Sequence, residues 1–139
     1  MPSDDKTLSK QSLHTSAKEQ FIDITPQVEK AVREMGLTNG LVVVYAPHTT
    51  AAIAINENHD PTVAHDILVT LDHAAPLDRG FQHLEGNSIA HAKSALVGCS
   101  QTVIVQDGQL VMGTWQGIFF CEFDGPRHRT FYVKGLTTA

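Results

Sequence analysis

Apolar and polar residues switch between two periods along this chain, and the switches outline its elements. Ser12 to Ile24 reads as an extended segment closed by Phe21 and Ile24. From Thr25-Pro26 onward, Val28, Ala31, Val32 and Met35 recur at helical spacing. A hydroxyl followed by proline marks a helix start, and Gly36 with Asn39-Gly40 marks its end. Leu41 to Ala46 is an unbroken, largely β-branched apolar run, which predicts a buried strand ending at Pro47. Ala51 to Asn56 reads as a second strand whose small side chains imply close packing or a subunit contact.

Asp60-Pro61 predicts the cap and first position of a second helix, with Val63, Ile67, Leu68 and Leu71 on its inner face. Ala74-Ala75-Pro76 ends it, and Leu77 to Gly86 reads as a loop. Asn87 or Ser88 caps a third helix with an expected inner stripe of Ile89, Ala92, Leu96 and Val97, stopped at Gly98. Asp107-Gly108 between apolar runs is a strong hairpin signal. Gly117 to Phe123 and Arg129 to Val133 are two further strands, joined across Asp124 to Arg127. Seven or so strands with three helices predict an α+β domain, residues 12–139, behind a frayed tail of residues 1–11.

Composition narrows the function. A chain of 139 residues with 42% hydrophobic content fits one soluble domain. No apolar run is long enough to predict a membrane span, and no secretory signal is apparent. Net charge is −5, and no basic stripe exists, which argues against nucleic acid as a partner. Cys99 and Cys121 form no CxxC motif, and a reduced, cytoplasmic setting is the simpler reading. Dinucleotide, P-loop and nucleophile-elbow motifs are missing.

Candidate chemistry centres on three histidines beside turns: His48 in Pro47-His48-Thr49-Thr50, His83 in His83-Leu84-Glu85-Gly86-Asn87, and His91. Asn87 and His91, four residues apart, project from one helix face. Three neutral imidazoles from a strand end, a loop and a helix could form an open metal site, for which zinc suits nitrogen ligands without thiolates. From spacing alone they are equally readable as hydrogen-bonded loop residues. Glu57, Asp60 and Glu85 are spare carboxylates in the same spans. Arg127 is the best anion candidate, with Thr49, Thr50 and the amides opening the third helix as neutral donors. The alternative is a structural pair of Arg127 with Glu122 or Asp124. His14, His65, His73 and His128 read as surface residues, while His59 shares a connector with Glu57. Trp115 reads as core or subunit interface.

Read together, His48-Thr49-Thr50-Ala51, Asn56-Glu57, His83 with Gly86-Asn87 and His91, Gly113-Thr114-Trp115-Gln116, and Glu122 through Arg127 resemble the YjbQ-like family. That family is often labelled secondary thiamine-phosphate synthase. The resemblance covers nearly the whole chain from about Ser12. It implies a barrel-like, mostly antiparallel sheet with about three helices, assembled as a homotrimer. It also implies one polar site, with His48, His83 and His91 as ligands of a divalent metal. Asn56, Glu57, Asn87 and Arg127 would orient substrate or move protons, with Glu57 as general base or orienter. The implied function is a small enzyme acting on a phosphorylated small molecule. The rival readings are a metal-dependent hydrolase and a non-catalytic, metabolite-binding trimer.

Overall fold

Local chemistry sets the helix ends and tight turns of this chain. The computed structural model describes residues 5–75 and 80–138. They run β1 (Leu8–His14), β2 (Gln20–Asp23), α1 (Thr25–Met35), β3 (Gly40–Tyr45), β4 (Ala51–Glu57), α2 (Pro61–Ala74), α3 (Ser88–Val97), β5 (Ser100–Gln106), β6 (Gln109–Leu110), β7 (Gln116–Glu122) and β8 (His128–Thr137). Asp60 caps α2 through a 2.9 Å bond from the Thr62 amide. Gly36 closes α1 in the left-handed region. Asp107 and Gly108 both take positive φ, as a type I′ hairpin turn between β5 and β6 requires. The expected cap at Thr25 acts differently: its hydroxyl accepts a 2.8 Å bond from the Ile118 amide, fastening α1 to β7.

The strands form two antiparallel sheets, ordered β1-β8-β3-β5-β6 and β2-β7-β4. Val42 and Val44 of β3 point inward, and so do Phe131 and Val133 of β8. They meet Ile53, Ile118 and Phe120 of the smaller sheet and Val28 and Val32 of α1 in the main core. The other face of the smaller sheet carries Ala52, Phe119, Cys121 and Phe123 beneath Ala90, with Leu68 and Leu71 of α2 packed against them. β7 is therefore covered on both faces, and its side chains serve two cores by simple alternation. The result is one α+β domain with curled sheets.

Several expectations need correction. β1 begins at Leu8, inside the stretch expected to be a tail, because residues 8–14 pair with residues 128–134 of β8. Residues 1–4, and 76–79 of the expected loop, lie outside the described residues. Thr15 to Glu19 interrupts the extended segment expected from Ser12 to Ile24. The inner face of α3 is Ala90, Lys93, Ser94 and half-buried Val97, not the predicted apolar stripe; Leu96 is exposed. Ser94 donates to the Ala51 carbonyl at 2.6 Å, and Lys93 is enclosed by carboxylates, so polar residues took the inward positions. Ala51 and Ala52 are fully buried within this chain, so their small size serves internal packing. Trp115 is exposed and lies against His59, with ring centroids 4.9 Å apart, rather than in the core.

Candidate functional site

At one end of the smaller sheet, β7 runs into the loop Phe123 to Arg127, and this loop meets the turn after β1. The Gly125 amide donates to the Lys18 carbonyl at 2.9 Å, and the Thr15 amide donates to the Arg127 carbonyl at 2.9 Å. A Cβ on Gly125 would sit 2.3 Å from the Ala17 carbonyl oxygen and 2.8 Å from both the Glu122 and the Thr15 side chains, so the approach requires glycine. The Gly125-Pro126 peptide is cis.

Beneath this junction lies a buried charge network that sequence reasoning missed. The Glu122 carboxylate is wholly enclosed. It accepts bonds from Arg129 Nε at 2.7 Å, Arg129 Nη2, Thr15 Oγ1 at 2.8 Å and the Asp124 amide at 3.0 Å. Arg129 also donates to Thr50 Oγ1 at 2.8 Å. Burial opposes ionisation of Glu122, but the Arg129, Asp124 and Thr15 bonds outweigh it and hold the carboxyl below its usual range. The alternation of β8 held the only clue: Arg129 shares the inward face with Phe131 and Val133.

A cavity of about 540 Å³ opens beside the network. Its lining includes Lys18, Asn87, Lys93, Asp124 and Arg127. Lys93 is buried between Glu19 and Asp72, which hold it protonated and raise its pKa against the effect of burial. Arg127 Nη2 donates to Asp124 Oδ2 at 2.9 Å and Nε to the Asp124 carbonyl at 2.6 Å, yet the guanidinium stays half exposed. Burial of Asp124 is outweighed by bonds from Asn87 and Arg127, and by the charge of Lys18, so this carboxyl is also held low. Lys18 is exposed, and its ammonium makes no hydrogen bond or ion pair among the described residues.

Asn87 is the N-cap residue of α3, as expected, but its side chain makes no capping bond. Its Nδ2 donates instead to Glu85 at 3.1 Å and Asp124 at 2.9 Å. Two carboxylates fix the amide's orientation, and Oδ1 is left buried without a donor. The amides of Ser88 and Ile89, which open α3, find no acceptor among the described residues. Ile89 lines the cavity, so the positive end of the helix stands at its wall. His83 and His91 meet each other, ring centroids 5.4 Å apart, and His83 Nε2 lies 4.0 Å from Glu85 of the cavity lining.

The structure thus gathers Asn87 and Arg127 on one cavity, while His83 and His91 pair with each other outside its lining, near Glu85. The other candidates stand apart. His48 Nε2 faces the main chain of Thr130: in one tautomer it accepts from the amide at 3.1 Å, in the other it donates to the carbonyl at 3.0 Å. It prolongs the sheet where β3 has ended. Thr50 is committed to Arg129 and Phe123, and Thr49 is not part of the cavity wall. Asn56 Oδ1 accepts from the Glu57 amide at 2.8 Å and Glu57 from the Asp60 amide at 3.3 Å. Both build the β4–α2 connection, at the opposite end of the β4–β7 pair.

The expected zinc site is corrected on the same ground. His48 turns to β8 while His83 and His91 turn to each other. No group of three or more His, Cys, Asp or Glu side chains among the described residues is arranged to hold a metal. A second, exposed histidine pair is formed by His14 and His128, opposed across β1 and β8 with nitrogens 3.2 Å apart.

The sequence profile described as UPF0047 protein YjbQ-like matches residues 9–138. UPF0047 protein MJ1081 of Methanocaldococcus jannaschii is 57% identical over 129 residues, covering 93% of this chain and 94% of that protein. UPF0047 protein YugU of Bacillus subtilis is 52% identical over 88% of this chain and 93% of its own. A crystal structure of a YjbQ/UPF0047 protein from Clostridium acetobutylicum superposes with a TM-score of 0.89 at 55% identity, over 92% of this chain and 99% of that one. A YbjQ-like protein of unknown function from Sulfolobus solfataricus gives the same TM-score at 34% identity, over 94% and 96%. Three of these names carry the UPF0047 designation, the fourth protein is of unknown function, and none names a synthase, so the thiamine-phosphate synthase label is withdrawn. No helix among the described residues is long and apolar enough to cross a membrane. Over nearly its full length, this chain belongs to the UPF0047, YjbQ-like family.

Proposed function

We propose that the chain binds a phosphorylated small molecule in the cavity between α3 and the Phe123–Arg127 loop, and acts on it there. One observation carries the reading. The ammonium of Lys18, unpaired among the described residues, the half-exposed guanidinium of Arg127 and Ile89 in the first turn of α3 border one space of about 540 Å³. A phosphate monoester takes its donors from groups of this kind. Imidazole is the ordinary proton carrier near neutral pH, and in this reading His83 and His91, paired next to Glu85 of the cavity wall, take that role. The protein works as a homotrimer in the cytoplasm in this reading. The exposed apolar side chains of Tyr45, Ile104 and Leu136, on one outer face of the larger sheet, supply material for a subunit contact. The free thiols of Cys99 and Cys121 suit a reducing compartment.

Isothermal titration with small phosphate monoesters tests the binding. Measurable affinity in the wild type, lost when Lys18→Gln and Arg127→Gln are combined, is the expected result. No binding by the wild type, or unchanged binding by the double variant, would overturn the reading. Phosphorus NMR of the same mixtures separates an enzyme from a binding protein by whether the ester is consumed. Light scattering that gave a monomer would remove the trimer.

A further inference from the structure

We infer that the ligand of this cavity carries a positively charged nitrogen as well as its phosphate: a phosphorylated amine rather than a simple phosphate ester. The inference rests on the phosphate reading above and narrows it. Among the described residues, the ionisable lining consists of Lys18, Lys93 and Arg127 against Glu19, Asp72, Glu85 and Asp124. Arg127 is matched by Asp124. The single ammonium of Lys93 serves two carboxylates, Glu19 and Asp72, which leaves negative charge over at that wall. Lys18 is the one lining cation without an ion pair among the described residues, and it is the natural seat of a phosphate.

What remains is acceptor-rich. The side chain of Asp72 is 61% exposed and binds Lys93 through one oxygen only. That of Glu85 is 65% exposed; it receives a neutral amide hydrogen from Asn87, and the nearest ring nitrogen of His83 is 4.0 Å away. Asn87 adds a carbonyl oxygen that lacks a donor among the described residues and cannot trade places with its own amide nitrogen. A ligand bearing phosphate alone brings more negative charge to walls that already hold a surplus. An ammonium beside the phosphate supplies donors and charge where both are short.

Calorimetry with O-phosphoethanolamine, its N-acetyl derivative and glycerol 3-phosphate tests this directly. The amine should bind at least about tenfold more tightly than either counterpart lacking the ammonium, a difference of about 1.4 kcal/mol. Glu85→Gln, checked for folding by circular dichroism, should shrink that preference while glycerol 3-phosphate binds as well as before or better. The acetylated ligand makes the same comparison without any variant. Equal affinity for all three esters would overturn this inference and leave the phosphate reading standing. Failure of all three to bind would overturn both.

Discussion

Two arginines two residues apart, each with a carboxylate partner close in sequence, end in opposite circumstances. Arg129 and Glu122 are buried and joined by two bonds, with every oxygen of the carboxylate occupied. Arg127 and Asp124 share one such bond at the rim of a cavity, and the guanidinium is half exposed. The difference follows from strand alternation. Arg129 falls on the inward face of β8, whereas Arg127 lies in the loop before the strand begins. The inner pair holds the outer one in place: Glu122 accepts from the Asp124 amide, and Thr15, bound to Glu122, accepts from the Arg127 amide at 2.8 Å. A charged residue type therefore says little about function here. Its exposure and unspent hydrogen-bonding capacity decide the matter.

The contrast can be broken most directly at the inner pair. Glu122→Gln leaves the Arg129 charge enclosed without its counter-charge and should cost about 3–5 kcal/mol of stability in urea unfolding. A cost below about 1 kcal/mol would show that the pair is not the brace described. Gly125→Ala should cost about 1–3 kcal/mol through overpacking at the junction of the two loops, seen as a lower unfolding midpoint. An unchanged midpoint would mean that the junction yields easily.

Acid sharpens the same comparison. Burial, together with the Arg129 charge, lowers the His48 pKa against the opposing effects of the Thr130 bond and Glu122. The fold favours the neutral ring, so stability is full above about pH 6.5 and declines as pH falls through that value toward the folded pKa. Glu122 follows lower down: its contribution is present above about pH 4.3 and is lost as pH falls through its own depressed value. Unfolding midpoints from pH 8 to pH 3 should show both declines, and His48→Gln should flatten the upper one alone. The smallest effect on stability is expected at the outer pair. Arg127→Gln should move the unfolding free energy by no more than about 1 kcal/mol, as exposed pairs do, while weakening phosphate binding about tenfold. A large loss of stability would erase the distinction between the two arginines.

Much of the fold was legible because its signals were local. Asp60-Pro61, Gly36 and Asp107-Gly108 act through their own backbone or the next turn, and each appears where the sequence put it. The misreadings came where partners lie far away in sequence. Lys93 finds Glu19 and Asp72, which are 74 and 21 residues distant, and so turned α3 against its apolar stripe. Leu8 to Gln11 looked like a tail because its partners on β8 come more than a hundred residues later. Among the candidate site residues, Asn87, Arg127, His83 and His91 share one end of the domain. Asn56 and Glu57 point to the other, since β4 carries them the length of the sheet. A sequence motif can record a turn as readily as a reaction.

The enclosure of Lys93 has a practical consequence for chemical labelling. Its side chain is 2% exposed and held protonated by two carboxylates, so amine-directed reagents should pass it by near neutral pH. Lys18, on the same cavity but open to solvent, should acylate readily. The pair forms a built-in reporter: one lysine calibrates whether the domain is still closed, and the other can register by mass spectrometry when something has settled in front of it.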